Sequence, residues 1–70
     1  MKKKKWSDEL IETSKEYLMR GSYVKSLNGQ FGMLCIDYKN SKYMINIRDS
    51  KDVLIYDSID EMIEAGWVID

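Results

Sequence analysis

The side chains that could do chemistry in this sequence are mainly carboxylates, and they concentrate in residues 49–70. This segment has seven Asp or Glu against one Lys, a net charge of −6. Such a group could bind a hard cation such as calcium, or could present negative charge to a basic groove. The loop at residues 49–52 lacks the ligand spacing and the glycine of a calcium-binding EF-hand loop. We therefore expect no metal site.

Catalytic groups of the common kinds are missing. The sequence has no His and a single Cys, Cys35, which excludes a Ser/His/Asp triad, a Cys/His dyad and a Cys/His zinc site. Asp37 is the only acid within residues 23–48, so a pair of carboxylates for hydrolysis is not expected there. Gly32 alone makes no phosphate-binding loop. The sequence predicts a protein that is not an enzyme and has no cofactor.

Length and cysteine usage limit the class of protein further. A chain of 70 residues buries only about 60% of the surface that its unfolded form exposes, so we expect one small domain without a deep cleft. A single Cys fits a reducing compartment. The four lysines that follow Met1 lead into acidic residues rather than an apolar signal, and no apolar run approaches the roughly 18 residues of a membrane span. We expect a cytoplasmic protein without a membrane partner.

Residues 8–20 are predicted to form an amphipathic helix. Ser7 is expected to cap its first amides, Trp6 to pack onto Ile11, and Gly21 to end it in the left-handed conformation. One face of this helix carries Leu10, Ile11, Ser14, Tyr17, Leu18 and Gly21.

Asn28-Gly29 is the strongest hairpin signal, because both positions of a two-residue turn favour positive φ. Such a turn sets Val24 opposite Met33. A second turn at residues 39–42 is predicted to pair Tyr38 with Tyr43, and a polar turn at residues 49–52 leads to a fourth strand. The predicted strands, at residues 23–27, 30–38, 43–48 and 53–56, form an antiparallel meander.

A second helix is predicted to begin at Ser58, with Glu61 reaching back to the amide of Ser58 in a capping box. Its apolar stripe is Ile59, Met62 and Ile63, and Gly66 ends it. Residues 67–69 form an apolar tail that either lies along the sheet or extends it. The predicted class is therefore α+β: an N-terminal helix, a four-stranded antiparallel meander, a C-terminal helix and a short tail. Residues 1–6 are predicted to be a basic flexible arm on a single domain, residues 7–70.

Side chains alternate across strands, so these registers divide the sheet into two faces. The predicted core face carries Tyr23, Leu27, Leu34, Ile36, Tyr38, Tyr43, Ile45, Ile47, Leu54 and Tyr56. The second face carries Val24, Phe31, Met33, Cys35, Met44, Val53 and Ile55, interrupted by Ser26, Asp37, Asn46 and Arg48. This second face is too apolar for an ordinary solvent-facing side. Either the helices divide between the faces or the tail covers the second one, or both helices pack on one face and leave a docking surface.

The main functional hypothesis is a protein-binding module. Its predicted binding residues are Phe31, Met33, Met44 and Ile55 on the second face, and Asp60, Glu61 and Glu64 on the acidic helix. An alternative is accessory nucleic-acid binding through the arm, with Lys2, Lys3, Lys4 and Lys5 on phosphates and Trp6 as a stacking surface. A third hypothesis is a homodimer that pairs through the second face or an exposed strand edge.

The stretch at residues 58–67, Ser-Ile-Asp-Glu-Met-Ile-Glu-Ala-Gly-Trp, resembles the closing helix of small accessory proteins of phages and prophages of low-GC Gram-positive bacteria. The resemblance covers about a seventh of the chain. It implies a small inhibitor or regulator of a host protein, in a nucleic-acid-handling or defence system, with anti-CRISPR inhibitors as one such class. No functional residue is carried over from it.

Overall fold

The computed structural model describes residues 5–70, which form two helices and one five-stranded antiparallel sheet. In chain order the elements are α1 (Asp8–Tyr17), β1 (Tyr23–Ser26), β2 (Phe31–Asp37), β3 (Lys42–Ile47), β4 (Val53–Tyr56), α2 (Ile59–Glu64) and β5 (Trp67–Ile69). The strand order is β4-β3-β2-β1-β5. The α+β class is confirmed and β1 to β4 form a meander. The sheet has five strands instead of four, because of the two alternatives for the tail the second is correct, and the tail extends the sheet as β5 beside β1.

Helix α1 begins where the sequence predicts and ends earlier. The Ser7 hydroxyl accepts a hydrogen bond from the Leu10 amide at 3.2 Å. The last helical residue is Tyr17, and Leu18 is the C-cap, whose ψ of 130° is extended and whose side chain packs against the core. Gly21 has φ +90°, yet it lies in a separate turn that the Ser22 amide closes on the Met19 carbonyl at 3.0 Å. The predicted end at Arg20 is wrong, because the chain must reverse there to enter β1.

The hairpin between β1 and β2 is one residue out of the predicted register. Val24 pairs with Gly32 rather than with Met33. The Ser26 amide donates to the Gln30 carbonyl at 2.9 Å and the Gly29 amide donates to the Ser26 carbonyl at 3.1 Å, which leaves three residues in the connection. Gly29 has φ +87°, as a bulged three-residue loop requires.

A slip of one residue turns a strand over. Val24 is therefore fully buried, and Tyr23, predicted in the core, is 68% exposed on the other face. Leu27 leaves the sheet and lies in the loop beside Gly66. Gly32 is obligatory in this register, because a Cβ there would lie 2.6 Å from Ile45 Cγ2.

The β2–β3 hairpin departs from the predicted register by two residues, which preserves the faces. Ile36 pairs with Tyr43, and Asp37 with Lys42. Tyr38 is consequently in the loop and is exposed instead of packing in the core. The loop is held by the Asp37 carboxylate, which accepts hydrogen bonds from the amides of Lys39 and Asn40 at 3.1 and 3.3 Å.

Helix α2 follows its predicted capping with one difference. The Ser58 hydroxyl accepts from the Glu61 amide at 3.1 Å, whereas the Glu61 carboxylate accepts from the amide of Asp57, not that of Ser58. Its apolar stripe faces the sheet, with Met62 and Ile63 buried. Gly66, at φ +109°, ends the helix as predicted.

The main core lies between α2 and one face of the sheet. Its buried members are Val24, Leu34, Ile45, Ile47, Met62 and Trp67. Helix α1 packs against β5 and α2. The buried Ser14 hydroxyl donates to the Leu10 carbonyl at 2.8 Å and accepts from the Ile69 amide at 2.9 Å. Helix α1 thus covers the edge of β5.

Candidate functional site: the outer face of the sheet

The face of the sheet opposite the main core, here called the outer face, is open over its central strands. By register it carries Tyr23, Lys25, Phe31, Met33, Cys35, Met44, Asn46, Val53 and Ile55. Phe31 is 44% exposed and Ile55 is 61% exposed. The alternative in which the helices or the tail cover this face is therefore wrong for β2 to β4. At β5 the face is covered, because Val68, which pairs with Lys25, is fully buried.

Cross-strand pairing joins these side chains into one patch. Met33 lies between Tyr23 and Asn46, and Asn46 pairs in turn with Val53. In the next row Met44 lies between Cys35 and Ile55. Directly paired side chains on one face are in contact range, so the apolar side chains form a continuous surface.

Two groups in the patch are half-buried rather than exposed, Met44 and Cys35. The Asn46 side-chain amide donates to Cys35 Sγ at 3.0 Å. This hydrogen bond holds the polar Asn46 side chain over the Cys35 sulfur. Asn46 therefore interrupts the apolar surface less than a polar side chain pointing into solvent would.

A shallow depression of about 640 Å³ lies at the end of the outer face near β1. Its walls include Tyr23, Phe31, Met33, Asn46, Arg48 and Asp70. The Arg48 amide donates to the Phe31 carbonyl at 2.8 Å, which extends the β2–β3 pairing and fixes Arg48 beside Phe31. The depression can accept an aromatic or aliphatic side chain from a partner, with polar groups at its rim.

Charges border the patch at both ends. At the depression, Lys25 Nζ lies 3.9 Å from an Asp70 carboxylate oxygen. At the opposite end Lys42 forms an ion pair with Asp57, whose hydrogen bond and negative charge raise the pKa of Lys42. The outer face therefore has an apolar centre with paired charges at its rim.

The acidic residues predicted to bind a partner lie on the other side of the sheet. Asp60, Glu61 and Glu64 are exposed on α2, which packs on the core face. Asp60 lies 3.9 Å from Lys15 Nζ, and Glu61 is engaged at the start of its own helix. The structure thus brings together Phe31, Met33, Met44 and Ile55 and separates them from the acidic group.

The predicted nucleic-acid residues are described only in part. Lys2, Lys3 and Lys4 lie outside the described residues, and Lys5 is exposed. Trp6, which the prediction assigned to a flexible arm, is half-buried against the domain. Its Nε1 donates to the Gly66 carbonyl at 2.7 Å, and Lys25 Nζ lies 5.4 Å from its ring centroid.

Two residues of the patch, Tyr23 and Val53, were not among the predicted binding residues. Val53 could have been found, because it alternates with Ile55 along one strand. Tyr23 could not, because its face depends on the bulged loop at Gly29. Both lie on the open face, with Val53 46% exposed.

Within residues 5–70, no three Cys, Asp or Glu side chains come together as a metal-holding group. Over the same residues, no helix is long and apolar enough to cross a membrane. Comparison with protein-family models, curated proteins and solved structures gives no match to the chain.

Proposed function

We propose that the protein is a non-enzymatic protein-binding module and that the outer face is its docking surface. The observation that carries the proposal is the patch of apolar side chains across four strands, from the exposed Tyr23 on β1 through the half-buried Met44 on β3 to the exposed Ile55 on β4. Monomeric proteins rarely expose large contiguous apolar patches without a binding role.

The composition of the patch suits a protein partner. Phe31 offers an aromatic anchor, and Met33 and Met44 can adjust to an irregular surface. Fully burying an exposed side chain of this size contributes about 1.5–3 kcal/mol, and several such contacts are needed to offset the cost of association. The paired charges at the rim can remain hydrated while the apolar centre is covered.

We further propose that the module inhibits or regulates a host protein, in keeping with the phage-type resemblance of residues 58–67. The acidic face of α2 is not needed for this role, because capping and ion pairing account for two of its three carboxylates. The outer face is therefore the surface to alter first.

Affinity capture from the native host tests the proposal. Phe31→Asp and Ile55→Asp are expected to abolish recovery of the partner, because each places a charge in the apolar centre. Met19→Asp is the matched control, since Met19 is 65% exposed but lies in the α1–β1 connection, and it is expected to leave recovery unchanged. Circular dichroism establishes that each variant is folded. If the double variant Asp60→Lys/Glu64→Lys loses the partner and Ile55→Asp keeps it, the docking surface is the acidic helix and the proposal is wrong.

Nucleic-acid binding through the arm is a second candidate, favoured by one contact. Trp6 is half-buried and lies beside Lys25, so an aromatic ring and a cation are close together at the position that follows the four lysines in the sequence. Asp70 balances Lys25 there, and most of the positive charge would come from Lys2 to Lys5. Removal of residues 2–5 should abolish binding of a single-stranded oligonucleotide, and binding should weaken steeply with salt. Salt-independent binding would exclude this candidate.

A further inference from the structure

The edge of β4 forms an interaction surface separate from the outer face. At the opposite edge of the sheet, α1 covers β5, and the Ile69 amide donates a hydrogen bond to the Ser14 hydroxyl. Strand β4 (Val53–Tyr56) pairs with β3 on one side, and no other strand within residues 5–70 lies on its second side. The sheet therefore has one covered edge and one open edge.

The hydrogen-bonding groups on the open edge can be assigned. The Ile47 amide donates to the Asp52 carbonyl at 3.1 Å, and in an antiparallel ladder every second residue bonds to the same neighbour. Leu54 and Tyr56 therefore bond to β3, and Val53 and Ile55 direct their amides and carbonyls outward. The next outward amide, that of Asp57, already donates to the Glu61 carboxylate at 3.0 Å.

This open edge lacks the features that usually protect one. Edges are commonly blocked by a proline, a charged residue within the strand or a bulge. The sequence of β4 is Val-Leu-Ile-Tyr, without proline or charge, and none of its residues has positive φ. Its two outward-bonding residues, Val53 and Ile55, are also exposed apolar side chains of the outer face.

We propose that two copies of this chain pair through β4 in antiparallel orientation, with Val53 opposite Ile55 of the partner subunit and Leu54 at the two-fold axis. In this register the unpaired amides and carbonyls of one copy meet those of the other. In the neighbouring register, Ile55 would face Ile55 of the partner subunit. Val53 would then face Asp57 of the partner subunit, whose amide already donates to a carboxylate of its own chain.

Charge supports the same register. Continuing it by two residues places Lys51 opposite Asp57 of the partner subunit, and by symmetry the contact occurs twice. Opposite charges at directly facing positions stabilise strand pairs. Asp57 would then lie between Lys42 of its own chain and Lys51 of the partner subunit. Residues 53–55 are thus complementary to themselves in hydrogen bonding and apolar contact, and Lys51 and Asp57 are complementary in charge.

The dimer goes beyond the proposed docking function and does not depend on it. Its two-fold axis is perpendicular to the sheet, so both outer faces lie on the same side of one continuous sheet. Val53 and Ile55 of each copy meet across the axis, and the rest of each patch stays free for another protein.

Light scattering on the full chain tests the pairing. The wild-type mass is expected to be about twice the 8.3 kDa of one chain. Val53→Pro should halve the measured mass, because proline removes an amide that faces the open edge and leaves the β3–β4 bonds in place. Val53→Thr is the matched control and should keep the dimer, since it retains the amide and the branched side chain. A single-chain mass for the wild type at about 1 mM, where even a very weak dimer forms, would overturn the proposal.

Charge reversal gives a variant that does not alter the strand. Lys51→Asp should raise the dimer dissociation constant at low salt, because it faces Asp57 of the partner subunit. Lys39→Asp makes the same charge change in the distant β2–β3 loop and should have no such effect. Equal effects of the two variants would contradict the register.

Cysteine cross-linking in a Cys35→Ser background locates the axis. Leu54→Cys should form an intermolecular disulfide on mild oxidation, since facing residues of a non-hydrogen-bonded pair have Cα atoms about 4.5 Å apart. Ile55→Cys should cross-link more slowly, and the reverse order would disprove the register.

Phe31→Asp should remain dimeric while losing the docking partner, so failure of the dimer and failure of the docking function are distinguishable. If Phe31→Asp is monomeric and Val53→Pro is dimeric, the copies pair through their faces and the edge proposal is wrong.

Discussion

Small polar side chains and glycines carry much of the local structure at the residue scale. Asp37 accepts hydrogen bonds from the Asn40 side chain at 2.8 Å and from two loop amides, and the resulting stabilisation of the carboxylate lowers the pKa of Asp37. Asp37 is the only acid within residues 23–48. Its contacts identify it as a residue that closes the β2–β3 loop, where Ser41 has φ 55°.

Asn40→Ala should bring the pKa of Asp37 back up toward its ordinary value, because the largest cause of the shift is the Asn40 side chain. NMR titration of the Asp37 carboxyl measures the change. Since the folded pKa is below the unfolded one, the contribution to stability is present above the unfolded pKa and is lost as pH falls through the folded pKa. Asn40→Ala should therefore flatten the acid limb of the stability profile. An unchanged pKa of Asp37 would show that the loop amides alone hold the carboxylate.

At the element scale, the sequence predicts what depends on local contacts. Ser7 and Ser58 mark both helix starts, because a cap needs only the three residues that follow it. Alternation identifies β2, β3 and β4 and assigns Phe31, Met33 and Ile55 correctly to one face. The end of α1 could not be predicted, since it is determined by where Leu18 meets the core. Strand β5 is equally non-local, because it needs both β1 and the Ser14 hydroxyl.

The β1–β2 connection shows why register is harder than strand identity. Asn28-Gly29 fits a two-residue turn and a bulged three-residue loop almost equally. The three-residue loop forms because it turns Val24 toward the core, whereas the two-residue turn would bury Tyr23. Gly29→Ala should destabilise the protein by about 1–2 kcal/mol, because Gly29 has φ +87°. Gln30→Ala, at the exposed neighbour, should change stability by less than about 0.5 kcal/mol. Urea unfolding distinguishes the two, and equal losses would mean that the loop does not require glycine.

At the scale of the whole molecule, both faces of the sheet carry apolar side chains, but only one face is covered over the central strands. α2 packs over the core face and α1 packs against β5, where Val68 is buried, which leaves the outer face of β2 to β4 and the β4 edge available. The sequence indicated the apolar excess on the second face, and left open what covers it. Only the three-dimensional placement of both helices decides that question, because neither helix has a pattern that specifies which face it must occupy.

Cys35 reports directly on this coverage. In the native protein a small thiol reagent should modify Cys35 without global unfolding, because the side chain is half-buried on an open face. The rate should be independent of urea below the unfolding midpoint. Dimerisation through β4 should leave the rate unchanged, whereas a partner docked on the outer face should slow it. Modification that occurs only with complete unfolding would show that the face is closed in solution.

The cover that α1 places over β5 also limits how far association can proceed. A sheet with two bare borders can recruit copies indefinitely and grow into a fibre. Here the β5 edge is covered by a helix of the same chain, so pairing of two β4 edges leaves no open strand edge to which another copy can add. Assembly along the sheet therefore terminates at a pair, and a variant that loosens α1 from β5 is the one that should polymerise.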